Sequence, residues 1–293
     1  MKPRSLMFTL FGEYIQHYGG EVWVGSIVQM MKQFGISESS VRGAIFRMVK
    51  QNYLQTRKVK NKSFYSLTDE GKRNTIDGVR RVYKSRTHHW DGHWRLLTYS
   101  FPEEKRELRN QIRKELNWLG FGLITNSTWI NPNHVEAQVQ KLIDTYEIED
   151  NVVFFRSSEI MSPSTEKIIH KGWDLKHISS QYDTFIEQHT EILENFRERA
   201  FKNELTDEQC FIERTSLVHE FRKFLFEDPG FPTDLQPDYW SGTQAYDLFG
   251  EIHQLLALPA VRFFDSVFQG PPDKEFEPDR NSATNPFPKV YIT

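Results

Sequence analysis

A chain of 293 residues has room for two or three domains, and 38% hydrophobic with 26% charged residues excludes wholesale disorder. No apolar run approaches the ~18 residues that span a bilayer, and the single cysteine, Cys210, excludes an internal disulfide and a multi-cysteine metal site. The net charge of −3 conceals an asymmetry: of 37 basic and 40 acidic residues, residues 1–90 hold 16 and 6, leaving 21 and 34 for the remainder. A basic head on an acidic body points to a polyanion as partner of the head. The apolar stretch after Arg4 is broken by Gly12 and Glu13 and meets no small-residue cleavage site. A cytoplasmic chain without a secretory signal is expected.

Leu6, Leu10, Tyr14 and Tyr18 recur at helical spacing and predict a helix over 4–18, ended by Gly19-Gly20. Val22-Trp23-Val24 is short and β-prone, and a helix from Gly25 to Phe34 stops at Gly35. Ser37 is a suitable N-cap for a third helix over about 38–51. The Phe34-Gly35-Ile36-Ser37 connection has the form of the tight corner between two crossed helices. In the third helix Val41, Ile45, Met48 and Val49 are the expected buried stripe, which leaves Ser39, Ser40, Arg42, Gly43, Phe46, Arg47 and Lys50 on the other side. Small hydroxyls, a glycine and arginines permit close approach to a major groove, phosphate contacts and bidentate donation to guanine. The same composition also fits an amphipathic helix with a solvated basic face. Two strands, 55–60 and 63–67, are predicted around an Asn61-Lys62 turn, gathering Arg57, Lys58, Lys60 and Lys62 as a wing beside a phosphate backbone. Thr68 caps a further helix with Asp69 and Glu70 in its first turn. Helix, strand, helix-turn-helix and basic hairpin in this order predict a winged-helix domain over 1–87 that binds double-stranded DNA.

Beyond it, strands over 94–101, 127–130 and 152–155 alternate with helices over 102–119 and 134–146. The β-α-β-β-α-β order, as far as it can be followed, predicts a ferredoxin-like sandwich over 88–172. His88, His89 and His93 sit at the junction and read as a hinge rather than a ligand set. Leu175, Ile178, Tyr182, Phe185, His189, Ile192 and Phe196 mark a long amphipathic helix. Phe211, Thr215, Val218, Arg222 and Leu225 mark another over 207–226, and a last helix over 241–268 is kinked or divided by Pro259. These make an all-α domain over 173–270, followed by a Pro-rich tail, 271–293, that is either draped on the body or disordered. The fold class is therefore α+β and multidomain.

His219-Glu220-Phe221-Arg222-Lys223 resembles the start of a zinc-protease helix, but Lys223 stands where the second histidine is needed, so no metal is expected. Arg214, His219, Arg222 and Lys223 form either a structural polar network or the face of an anionic-effector site. With no G-x-G-x-x-G, Walker loop or G-x-S-x-G, neither a cofactor nor a catalytic residue is assigned, and the chain is not read as an enzyme.

Leu10-Phe11-Gly12-Glu13-Tyr14, Gly19 to Gly25, Ser39 to Val49, Tyr65 to Gly71, Trp90-Asp91-Gly92-His93-Trp94, Trp118 to Gly122, and Arg214 to Arg222 with Asp228-Pro229 resemble the PaaX family of transcriptional repressors. The similarity runs in the same order from about residue 4 to 268. It implies a homodimeric repressor of phenylacetic acid catabolic genes, bound to a palindromic operator and released by an acyl-coenzyme A effector, phenylacetyl-coenzyme A. The middle domain also resembles the small CRISPR-associated nucleases. Ser100 stands where their metal-binding aspartate falls, and a hydroxyl lacks the carboxylate charge that holds a hard divalent ion. That domain is therefore read as a dimerisation scaffold. The competing readings are a metal-dependent nuclease built on it, and an architectural DNA-binding protein with no effector.

Overall fold

The computed structural model describes residues 1–83, 88–161, 163–224 and 227–287. They fall into two compact units, one of residues 1–84, 187–222 and 247–293, the other of residues 85–186 and 223–246. The domain boundary expected at 87/88 coincides with residues 84–87 and lies outside the described residues, as do Leu225 and Pro288.

The N-terminal stretch of the first unit runs α1 (Pro3–Glu13), β1 (Glu21–Trp23), α2 (Val24–Lys32), α3 (Glu38–Lys50), β2 (Leu54–Val59), β3 (Lys62–Leu67) and α4 (Asp69–Tyr83). The helix expected over 4–18 ends at Glu13, and after Tyr14 the chain continues as a 3-10 turn, Ile15–Tyr18, closed by Gly19 in the left-handed region at φ 80°. Ser37 caps α3, its hydroxyl accepting the Ser40 amide at 3.3 Å. The three strands form an antiparallel sheet of order β1-β3-β2. Val59 pairs with Lys62, so the hairpin turns at Lys60-Asn61, one residue earlier than expected, with Lys60 at φ 54°. The Thr68 hydroxyl accepts the Gly71 amide at 3.0 Å and starts α4.

In the second unit, β4 (Trp94–Tyr99), α5 (Arg106–Trp118), β5 (Gly122–Leu123), β6 (Thr128–Asn131), α6 (Glu136–Tyr146) and β7 (Val152–Ser157) follow one another. Their antiparallel sheet has the order β5-β6-β4-β7. One sheet face and both helices close over Leu97, Tyr99, Ile112, Leu116, Trp129, Val139 and Leu142. Ser100, just after β4, is exposed, its amide donating to the Asn151 carbonyl. His88 binds the Asn133 side chain at 2.8 Å and His89 faces Asp234 at 3.2 Å. Among the described residues no cluster of His, Cys, Asp or Glu is placed to hold a metal ion.

α7 (Thr165–Gly172) and the long α8 (Leu175–Phe201) lead into α9 (Asp207–Phe221), which opens with a capping box between Thr206 and Gln209. On α8 the buried stripe takes Leu193, while Ile192 is exposed, a correction to the expected spacing. The last predicted helix divides at Leu256 into α10 (Gly242–Leu255) and α11 (Ala257–Val267). Pro259 lies in the first turn of α11, where its missing N–H has no intrahelical acceptor to lose. The helices of residues 173–270 contribute to both units; in the first, α9 and α11 pack on each other, α9 on α1 and α11 on α2. The tail over 271–287 is draped on the first unit and ends in α12 (Arg280–Thr284).

Candidate nucleic-acid interface

α3 divides cleanly by burial. Val41, Ala44, Ile45 and Met48 are buried, and the opposite face exposes Ser39, Ser40, Arg42, Phe46, Arg47 and Lys50. Val49, expected inside, is 37% exposed, and Ala44 takes its place. Both positions border the stripe. Phe46 stands 70% exposed among the polar residues of the outward face. A Cβ added at Gly43 would meet only Nη1 of Arg47, at 3.5 Å, so the backbone there is open to close approach. Arg42 is held on its own helix by Glu38, Nε to Oε1 at 2.8 Å, which orients the guanidinium without burying it.

The four wing cations expected to contact phosphate separate into two pairs. Lys58 and Lys60 are exposed. Arg57 and Lys62 are paired within the protein. Arg57 donates to the buried carboxylate of Glu21 and, with Nη1 and Nη2, to both oxygens of Asp273 at 2.7 and 3.0 Å. Lys62 donates to the Gln269 side chain at 2.9 Å with its ammonium 4.4 Å from the centre of the Trp23 ring. Glu21 also takes the ammonium of Lys274 at 2.8 Å. These cations hold the Glu21 carboxyl below its ordinary range against the opposing effect of burial. Gln269, Asp273 and Lys274 lie more than 200 residues from the wing in the chain, and nothing in their local sequence marks them as its partners.

The candidate effector residues are not brought to one surface. Arg214 is fully buried, donating to the Ala283 carbonyl at 2.6 Å, 3.9 Å from Glu13 and stacked near Tyr14. His219 meets the Thr9 hydroxyl at 3.1 Å, and Arg222 donates to the Ser5 carbonyl at 3.2 Å and to Thr9 at 3.0 Å. These three tie α9 and the residue that caps its C-terminus to α1 and the tail. Lys223 is exposed and belongs to the other unit.

Comparison with known proteins places this arrangement. Residues 2–71 match the family model of the PaaX-like protein, 87–169 that of the PaaX protein central Cas2-like domain, and 173–266 that of the PaaX-like protein C-terminal domain. The chain belongs to the PaaX family, a family of transcriptional repressors. It is 33% identical over 262 residues to Transcriptional repressor PaaX of Escherichia coli K12, covering 88% of this chain and 82% of that protein. That relative is a regulator, not an enzyme. In fold the chain is similar to the uncharacterized protein Rv0674 from Mycobacterium tuberculosis, with a TM-score of 0.50 at 19% identity over 83% of this chain and 89% of that one. Among the described residues no helix is long and apolar enough to cross a membrane.

Proposed function

We propose that the chain represses transcription by inserting α3 into the major groove of a palindromic operator, as the second helix of a winged helix-turn-helix, while an effector lowers its affinity for DNA. The observation that carries this is the outward face of α3, where Ser39, Ser40, Gly43, Arg42, Arg47 and Lys50 lie opposite the buried stripe with nothing but side-chain length between backbone and solvent. Lys58 and Lys60 on the adjoining hairpin supply phosphate contacts that fix its orientation. Phe46 offers an apolar surface of the kind that packs on a thymine methyl.

The strand order β5-β6-β4-β7, antiparallel throughout, supports a ferredoxin-like middle domain. In this proposal it pairs two copies of the chain, so that two recognition helices meet successive major grooves. The effector class, an aryl-coenzyme A thioester such as phenylacetyl-coenzyme A, comes from the family resemblance. The burial of Arg214 and His219 argues against those residues as its site. Cytoplasmic location follows from the repressor role.

Titrating phenylacetyl-coenzyme A, coenzyme A and phenylacetate separately into the complex with an operator duplex, selected from a random pool, tests the reading. Release by the thioester alone is the expected result, with a coupling of about 1–3 kcal/mol or more. A complex indifferent to all three makes the chain an architectural DNA-binding protein. Chelator-sensitive cleavage of the duplex would revive the nuclease.

A further inference from the structure

The sheet β1-β3-β2 turns Val22, Leu54 and Leu67 to the core. Its other face carries Glu21, Trp23, Arg57, Lys62 and Phe64, since Trp23 and Arg57 both pair with Phe64, and of these Glu21 and Phe64 are buried. Residues 269–274 lie along that outer face. The Gln269 carbonyl accepts the Trp23 amide at 2.9 Å at the free edge of β1, and the Gln269 side chain takes Lys62. Asp273 then takes Arg57, and Lys274 takes Glu21.

Glu21 and Asp273 grip the guanidinium differently. Glu21, with its side chain 5% exposed, accepts Nε and one side of Nη2 and so fixes the group from within. Asp273, 49% exposed, accepts Nη1 and the other side of Nη2 on the outward edge. A forked pair of N–H groups on two carboxylate oxygens is the geometry by which arginine also holds two phosphate oxygens. Asp273 and Lys274 together are neutral, so the docked tail leaves the net charge of the face unchanged and instead occupies the outward edge of the Arg57 guanidinium. The pair remains open to water and ions, and such pairs exchange easily. The family models end at residue 266, ahead of this segment.

We propose that the outward edge of the Arg57 guanidinium is a docking point for the phosphate backbone of duplex DNA, where Asp273 holds Arg57 as an internal stand-in for a phosphate. This rests on the DNA-binding reading above. The duplex must displace Asp273 to reach Arg57, so the tail restrains binding, and Glu21 keeps the guanidinium aimed outward once it is released.

The test is a double-mutant cycle in the full chain, binding a mixed-sequence duplex at low salt. Asp273→Asn preserves shape and removes the charge, and it should tighten binding about three- to ten-fold. Combined with Arg57→Ala, the same change should gain nothing over Arg57→Ala alone. An equal gain in both backgrounds would reduce the effect to long-range charge and overturn the proposal, as would no gain in either. Changing Lys58 and Lys60 together to alanine separates this from the DNA reading. That variant should lower the salt slope of binding by roughly two units. If it does while Asp273→Asn gains nothing, the tail inference alone fails. If the unmodified chain binds no duplex, the DNA reading fails and takes the inference with it.

Discussion

Arg47 and Arg57 lie ten residues apart with the same charge, yet their surroundings give them different tasks. Arg47 sits on the open face of α3 beside Gly43, with no backbone bulk between it and an approaching base. Arg47→Ala is expected to cost about 1–3 kcal/mol of operator affinity and to relax the preference at one base position, measurable by selection from a random duplex pool. Unchanged affinity and selectivity would take α3 out of the groove. The outward residues of α3 could be named from the sequence because a helix of period 3.6 with one apolar stripe leaves a single possible opposite face. Arg57 could not be placed in the same way. Its role depends on Glu21, 36 residues earlier, and on Asp273, 216 residues later. Strand alternation says which way a side chain points but not what comes to meet it.

Element boundaries followed local chemistry where that chemistry is specific. Ser37 and Thr68 were readable as caps because a hydroxyl ahead of a helix can satisfy an otherwise unpaired amide, and both do so. The hairpin turns one residue earlier than its sequence predicts because Asn61-Lys62 and Lys60-Asn61 are similar turn sequences, and the register is set by pairing Leu54 through Val59 with Leu67 through Lys62. Gly71 shows a further constraint at this scale. A Cβ there would stand 2.1 Å from the Tyr53 carbonyl oxygen, a backbone atom that cannot swing aside. Gly71→Ala is accordingly expected to push α4 off the turn that precedes β2 and to destabilise the first unit by about 1–3 kcal/mol. A lowered thermal midpoint checks this, and an unchanged one would mean that α4 shifts without cost.

At the scale of the molecule, the first unit is assembled from three separated stretches of chain, and a buried polar network joins them. Tyr83 donates to Glu13, His253 lies 3.3 Å from the other Glu13 oxygen, and Arg214 is 3.9 Å from it. Burial, with the charge of Arg214 adding to it, pushes His253 down to about 4, so it is neutral in the folded protein. The unfolded chain takes up that proton near pH 6.5. Between pH 6.5 and 4 the unfolded state thus binds more protons, and acidification through this window destabilises the fold by a few kcal/mol (order ~2–3). Glu13 adds to this with the same sign. Burial alone would raise its pKa, but the His253 hydrogen bond and the Arg214 charge hold it below the ordinary carboxylate value, so its contribution is lost as pH falls below about 4.5. Thermal unfolding followed from pH 7 to 4 should show the decline, and His253→Gln should flatten it between 6.5 and 4. An undiminished slope in that variant would place the acid sensitivity elsewhere.

What the amino-acid order determined by itself was everything carried by short-range spacing: the charged head, the helix-corner-helix with its outward face, the basic hairpin, the strand and helix succession of the middle, and the absence of catalytic spacings. Periodicity and capping act over a few residues, so they survive in a string of letters. Which cations meet solvent, whether Arg214 and His219 form a surface or a core, and how the C-terminal helices divide between two units were decided only in three dimensions. Each depends on contacts between residues tens to hundreds of positions apart, where burial and charge pairing are set by the packing of whole elements and leave no local trace.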